Sequence, residues 1–149
     1  VSAYSYADLA GVIRQYGTQA RVDLHELFRR MVFNVLVTND DDHLRNHGFL
    51  MDGNGWRLSP LYDVVPKPQV GLERRLVLGV GPEGRTATLE NALAGAAAFD
   101  LASADARAIV DELRMIVAAR WDPLFESAGL SVADRRRFAT CFRLAYDED

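Results

Sequence analysis

Asn39-Asp40-Asp41-Asp42-His43-Leu44-Arg45-Asn46-His47-Gly48-Phe49-Leu50-Met51, then Asp52-Gly53-Asn54-Gly55, then Trp56-Arg57-Leu58-Ser59-Pro60-Leu61-Tyr62-Asp63, is the stretch on which the reading of this 149-residue chain turns. It opens on residues that favour loops. Phe49–Met51 and Trp56–Leu58 are short apolar runs about a Gly/Asn turn, the pattern of a β-hairpin. Immediately upstream, Leu24, Leu27, Phe28, Met31, Val32 and Val35 follow helical spacing. That pattern predicts a helix from about Asp23 to Val37, with His25, Glu26, Arg29 and Arg30 off the apolar stripe. Earlier still, Ser5 with Asp8 three residues on starts a shorter helix, which runs through Leu9, Ile13 and Tyr16 and ends at Gly17.

Downstream of the hairpin, Pro66 and Pro68 keep the chain out of helix. Leu76-Val77-Leu78 reads as another short strand. Leu89–Ala98 is an alanine-rich helix. Ser103 caps a longer one with a stripe of Ile109, Leu113, Ile116 and Val117, which Pro123 ends or kinks. Ser131 starts a last helix through Phe138, Phe142 and Ala145. The expected fold is α+β, mostly α-helical, one domain over residues 1–149 with a hairpin inserted after the second helix.

Bulk composition narrows the function classes. Apolar residues make up 49% and charged residues 26%, an ordinary globular balance. A net charge of -4 argues against non-specific nucleic-acid binding by the whole chain. Cys141, the one cysteine, cannot form an internal disulfide; this fits a reducing cytoplasm, and its apolar surroundings suit a small buried residue. No signal peptide or run of membrane-spanning length is visible. The first residue is Val rather than Met, which gives the expectation of a piece of a longer protein or a processed chain.

The acidic run carries the chemistry. Three adjacent carboxylates repel one another unless they are solvated or neutralised. A polar helix-to-strand loop is the plain reading. Against it, Asp41 and Asn46 have the Asp-x-x-x-x-Asn spacing of the kinase catalytic loop, in which the Asp accepts the proton of the hydroxyl being phosphorylated and the Asn turns to a magnesium ion on the nucleotide phosphates. Antiparallel strands then return the chain to its starting point, so Asp63 should lie beside Asn46. One amide oxygen and one carboxylate converging there suit magnesium, which keeps several waters and phosphate oxygens as its remaining ligands.

Asn39-x-Asp41-x-His43-x-x-Asn46, the hairpin, and Leu58-Ser59-Pro60-Leu61-Tyr62-Asp63-Val64-Val65-Pro66 together resemble the HipA family of bacterial serine/threonine kinase toxins. Gly79–Thr86, the alanine-rich helix and Trp121 are also similar to that family's C-terminal lobe. The resemblance spans essentially this whole chain but only the carboxyl-terminal part of the family's length. It implies a protein-kinase-like C-terminal lobe using ATP and Mg2+. In it Asp41 is the catalytic base, Asn46 and Asp63 hold the metal and its nucleotide, and His43 orders the loop through backbone bonds. It further implies a HipB-like helix-turn-helix antitoxin as partner and DNA contact only through that antitoxin. The protein substrate would be a translation component such as an aminoacyl-tRNA synthetase, in the cytoplasm and away from membranes.

The family's glycine-containing phosphate loop, nucleotide lysine and adenine hinge are not visible before Asp41. The forty residues there contain no lysine and only Gly11 and Gly17. The expectation is weak or absent kinase activity for this chain alone. The alternative is an inactive truncated lobe that binds an antitoxin or target. Gly79-Val80-Gly81-Pro82-Glu83-Gly84 matches Gly-x-Gly-x-x-Gly, but Pro82 lacks an N–H and Glu83 would repel phosphate, so it reads as a surface turn. His43 and His47 have the spacing of a helical metal pair in a stretch whose Gly48 disfavours helix. Arg135-Arg136-Arg137 reads as a solvated face, with contact to DNA or antitoxin left open.

Overall fold

The computed structural model describes residues 4–146. Helix α1 (Tyr6–Tyr16) starts with the expected capping box: Ser5 Oγ accepts from the Asp8 N–H at 3.2 Å, and Asp8 Oδ2 accepts from the Ser5 N–H at 2.7 Å. Gly17 ends the helix, though not through a left-handed turn, since its φ is -75°. A Cβ there would lie 2.6 Å from the Ile13 carbonyl oxygen, so glycine is required by close approach.

Helix α2 (Ala20–Val37) is the centre of the molecule. Leu24, Leu27, Phe28, Met31, Val32 and Val35 are fully buried. Helix α1, the later helix over Ser103–Ser127 and the two 3-10 segments Ala96–Phe99 and Ala139–Ala145 all pack on it. It closes at Thr38, a β-branched residue at φ 57°, where a left-handed backbone is costly. Surrounding bonds hold it there. Thr38 Oγ1 donates to the Cys141 carbonyl at 2.7 Å, Arg74 donates to that hydroxyl, and the Lys67 N–H donates to the Thr38 carbonyl at 3.0 Å.

Strands β1 (Phe49–Met51) and β2 (Trp56–Leu58) form the antiparallel hairpin, in register Phe49 with Leu58 and Met51 with Trp56. Gly53 and Gly55 take φ of 90° and 141° in the turn, which favours glycine at both. Leu76–Leu78 is not a strand. Leu76 and Leu78 are buried, but the backbone makes only isolated bridges, Arg75 with Thr86 and Ser5 with Gly79. Gly81 and Gly84 fold the chain back at once, leaving no partner long enough for a ladder.

Helix α3 (Leu89–Ala94) stops at Gly95, and a 3-10 turn (Ala96–Phe99) completes the alanine-rich run expected as one helix. Helix α4 (Ser103–Ser127) is capped at Ala102, so Ser103 is its first residue rather than its cap. Pro123 neither ends it nor prevents its last turn. Its buried stripe is Ala106, Val110, Leu113 and Val117, while Ile116 is exposed. Helix α5 (Val132–Phe138) is capped by Ser131 as expected, and a 3-10 segment (Ala139–Ala145) continues it. Phe142 of that segment stacks on Trp121 at 4.6 Å between ring centres, with Phe125 edge-on to both. Arg135 of the basic triplet turns inward to Asp122 and Glu126 of α4. Cys141 is buried, and burial pushes its thiol up to about 11, so it is an inert packing residue. The whole is α+β, mostly helical, with a two-stranded hairpin. No helix among the described residues is long and apolar enough to cross a membrane.

Candidate functional site

The three aspartates after α2 do not share one environment. Asp42 turns inward and is buried. Its Oδ2 accepts from the Tyr6 phenol of α1 and from Asn34 Nδ2 of α2 at 3.0 Å, and His47 Nε2 lies 2.8 Å away. Asn34 Nδ2 also donates to the Tyr6 oxygen, and Asn34 Oδ1 accepts from Asn39 Nδ2, both at 3.0 Å. Two helices and the far end of the loop therefore converge on one carboxylate, and Asn39 at the near end joins them through Asn34. Burial, reinforced by the Asp42 charge, pushes the Tyr6 phenol well above its ordinary range, so it remains an O–H donor. Donation from His47 to a carboxylate puts a proton on Nε2. The Nδ1 atoms of His43 and His47 are buried without a hydrogen-bond partner.

Asp40 and Asp41 face outward. Lys67 Nζ lies 3.2 Å from Asp40 Oδ1 and 3.5 Å from Asp41 Oδ2, and Gln69 also donates to Asp40. The hydrogen bond to Asp40, aided by both negative charges, raises the Lys67 ammonium above its ordinary value. Repulsion along the acidic run is thus relieved by separation: one carboxylate is paired in the interior and two are bridged by a cation outside.

At the loop's far end, a 3-10 turn (Leu44–Asn46) follows His43. Asn46 is buried, its Oδ1 accepts from the His43 N–H at 3.4 Å, and its Nδ2 donates to Asp63 Oδ2 at 2.8 Å. The hairpin therefore brings Asp63 back to Asn46. Around this contact the Ser59 N–H donates to the Gly48 carbonyl at 2.8 Å, and the Tyr62 hydroxyl donates to the Arg45 carbonyl at 2.9 Å. A Cβ on Gly48 would crowd Ser59 Oγ at 3.2 Å, so glycine lets the returning chain lie this close. Asp63 itself sits at φ 56°. Asp41 is mostly exposed and pairs with Lys67 rather than with Asn46 or Asp63. Among the described residues no group of three or more His, Cys, Asp or Glu side chains is arranged to hold a metal ion.

The pattern of the HipA-like C-terminal domain matches residues 1–121. The chain belongs to that family. Its similarity to curated relatives is local. It is 36% identical over 70 residues to "Putative kinase" of Haemophilus influenzae, covering 44% of this chain and 20% of that protein. It is 30% identical over 61 residues to "Putative kinase Y4mE" of Sinorhizobium fredii, covering 41% of this chain and 14% of that protein. This HipA-like domain thus aligns with a fifth or less of either relative's length.

Several positioning residues of the HipA-like domain escaped the sequence reading. Arg30, off the apolar stripe, is buried; it pairs with Glu26 at 2.8 Å and donates to the Ser59 carbonyl at 2.8 Å, fixing the exit of β2. Tyr6 and Asn34 hold Asp42, and Asn34 was the one with a visible signal, as an amide within the apolar part of α2. The Gly79–Gly84 turn packs on Asn91, whose Oδ1 accepts from the Glu83 N–H at 2.8 Å and whose Nδ2 donates to the Gly84 and Thr86 carbonyls. Gly81 there serves packing, since a Cβ on it would fall 2.0 Å from the Asn91 carbonyl oxygen, whereas Gly84 serves the turn through its φ of 65°.

Proposed function

We propose that this HipA-like domain is the catalytic, magnesium-holding lobe of an ATP-dependent serine/threonine kinase, completed by the nucleotide-binding lobe of the full-length protein. The observation that carries the reading is the 2.8 Å approach of the Asn46 amide to the Asp63 carboxylate across the base of the hairpin. Magnesium takes oxygen ligands at about 2.0–2.1 Å in octahedral array, so adjacent ligands lie roughly 3 Å apart. The two side chains already meet at that spacing, and rotating the amide presents its oxygen in place of its nitrogen. The left-handed backbone of Asp63 supports the same reading, because a non-glycine residue held there costs energy and such sites cluster where function demands them. The kinase names of the two relatives agree with it.

In this mechanism Asp41 accepts the proton of an acceptor serine as the serine oxygen bonds to the γ-phosphorus. The bond from the γ-phosphorus to its bridging oxygen breaks, and ADP leaves with the electron pair. Asn46 and Asp63 would hold a magnesium ion, which would supply positive charge to the phosphates when bound. His43 would order the loop at the start of the 3-10 turn, its N–H releasing Asn46 Oδ1 as that oxygen turns to the metal. The buried Asp42 hub keeps the loop from shifting. The proposal extends to a HipB-like helix-turn-helix antitoxin as partner, and to a cytoplasmic protein substrate such as an aminoacyl-tRNA synthetase.

The test uses the intact kinase. Asp41→Ala should lower phosphoryl transfer by about a hundredfold or more while leaving magnesium–ATP affinity within about twofold. Asp63→Ala should weaken magnesium-dependent ATP binding by about tenfold or more. Full turnover in the first variant, or unchanged magnesium-dependent affinity in the second by titration calorimetry, rejects the assignment.

A further inference from the structure

The segment from Asp63 to Lys67 touches both ends of the Asp41–Asn46 loop. Asp63 reaches Asn46 at 2.8 Å, and four residues later Lys67 reaches Asp41 at 3.5 Å. Lys67 is the only lysine in the chain. Its backbone is fixed, because its N–H donates to the carbonyl of Thr38, which is itself held by Arg74 and the Cys141 carbonyl. Its side chain has a second anchor in Asp40 at 3.2 Å, and Gln69 steadies Asp40 in turn.

We infer that Lys67 is a positioning residue for the phosphoryl-transfer step, bridging Asp40 to Asp41 so that the Asp41 carboxylate is held in one place at the mouth of the site. This rests on Asp41 being the base, as proposed above. The physical case is that Asp41 is an exposed carboxylate with few constraints of its own. The side chain of Asp41 is 63% exposed and that of Lys67 45% exposed. An ion pair so exposed adds little to stability. Its consequence is orientation, and a small misplacement of a catalytic group costs rate out of proportion to its effect on folding. A bare loop carboxylate would also be repelled by Asp40 beside it and by an incoming triphosphate, and the shared ammonium offsets both.

The experiment is a set of variants in the intact kinase, assayed for phosphoryl transfer at saturating and limiting magnesium–ATP. Lys67→Met should lower kcat about tenfold, with KM for ATP within about twofold and the thermal midpoint unchanged. Lys67→Arg, which keeps the charge, should recover most of kcat. Because Lys67 acts through Asp41, Lys67→Met added to Asp41→Ala should cost no more than Asp41→Ala alone. A Lys67→Met enzyme with full kcat, or with its loss in KM alone, overturns the inference, as does a loss that multiplies with that of Asp41→Ala. If instead Asp41→Ala keeps full turnover, it is the assignment of the base that falls.

Discussion

Asp42 is flanked by Asp41 and His43 in a loop of polar residues, yet it is the one member of the acidic run that the fold cannot spare. A buried carboxylate is tolerated only when its lone pairs are satisfied, and Tyr6, Asn34 and His47 satisfy this one. Asp42→Ala would strand the Tyr6 hydroxyl and His47 Nε2, leave Asn34 Nδ2 with the Tyr6 oxygen alone, and is expected to cost about 3 kcal/mol or more in urea unfolding. Tyr6→Phe removes one donor and should cost about 1–2 kcal/mol. The phenol gives this variant a second signature. Its folded pKa lies above the unfolded value of about 10, so its contribution is complete below that pH and is lost as pH rises through 10 toward the folded value. Between pH 8 and 11 the wild-type chain should therefore lose stability more steeply than Tyr6→Phe, and parallel curves would show that the phenol is not coupled to folding.

The hairpin is too short to stand alone, and its position comes from α2. Arg57 Nε and Nη2 donate to the two oxygens of Asp23 at 3.0 and 2.9 Å, and the Leu58 N–H donates to the same carboxylate at 3.0 Å. Burial raises the Asp23 carboxyl, but the hydrogen bonds from Arg57 and Leu58 outweigh it and hold the group below its ordinary value. The stability this contributes is present above the unfolded pKa of about 4 and is lost as pH falls through the lower folded one. Asp23→Ala should destabilise the chain by about 2–4 kcal/mol at pH 7, speed amide exchange in Phe49–Leu58, and flatten the acid limb below pH 4. An acid limb as steep as wild type would refute this account. The strand ends were legible because a Gly-rich turn and two apolar runs leave one register. The meeting of Asn46 with Asp63 was legible because antiparallel strands must return. Leu76–Leu78 misled because buried alternating leucines look alike whether a ladder or isolated bridges satisfy the backbone. The Asp42 hub was not legible at all: three consecutive aspartates are chemically identical, and tertiary packing alone decides which one faces inward.

Across the whole molecule, the family match ends at residue 121, but the chain beyond it is not an appendage. Its Phe125 and Phe142 pack on Trp121, Phe138 packs edge-on to Phe125, and its Thr140 and Cys141 carbonyls reach back to the loop's origin through Arg74. Arg74 is buried and donates to Thr38, Thr140 and Cys141, so one guanidinium joins the last helical segment to the exit of α2. That exit is where the chain turns left-handed into Asn39–Asn46, and the Thr38 carbonyl there also holds the Lys67 N–H. The candidate site is thus braced from the C-terminal side as well as from α1 and α2. Arg74→Met keeps much of the side-chain stem but removes the donor to the buried Thr38 hydroxyl and to the Thr140 carbonyl, and leaves the Cys141 carbonyl with Thr38 alone. It should cost about 2–4 kcal/mol in urea unfolding. The distinguishing measurement is amide exchange: protection of the Lys67 N–H should fall with that of Ala139–Ala145, while α1 keeps its protection. Equal loss over every element would mean that Arg74 adds only to global stability. A Lys67 amide as protected as in wild type would mean that the C-terminal segment does not brace the loop.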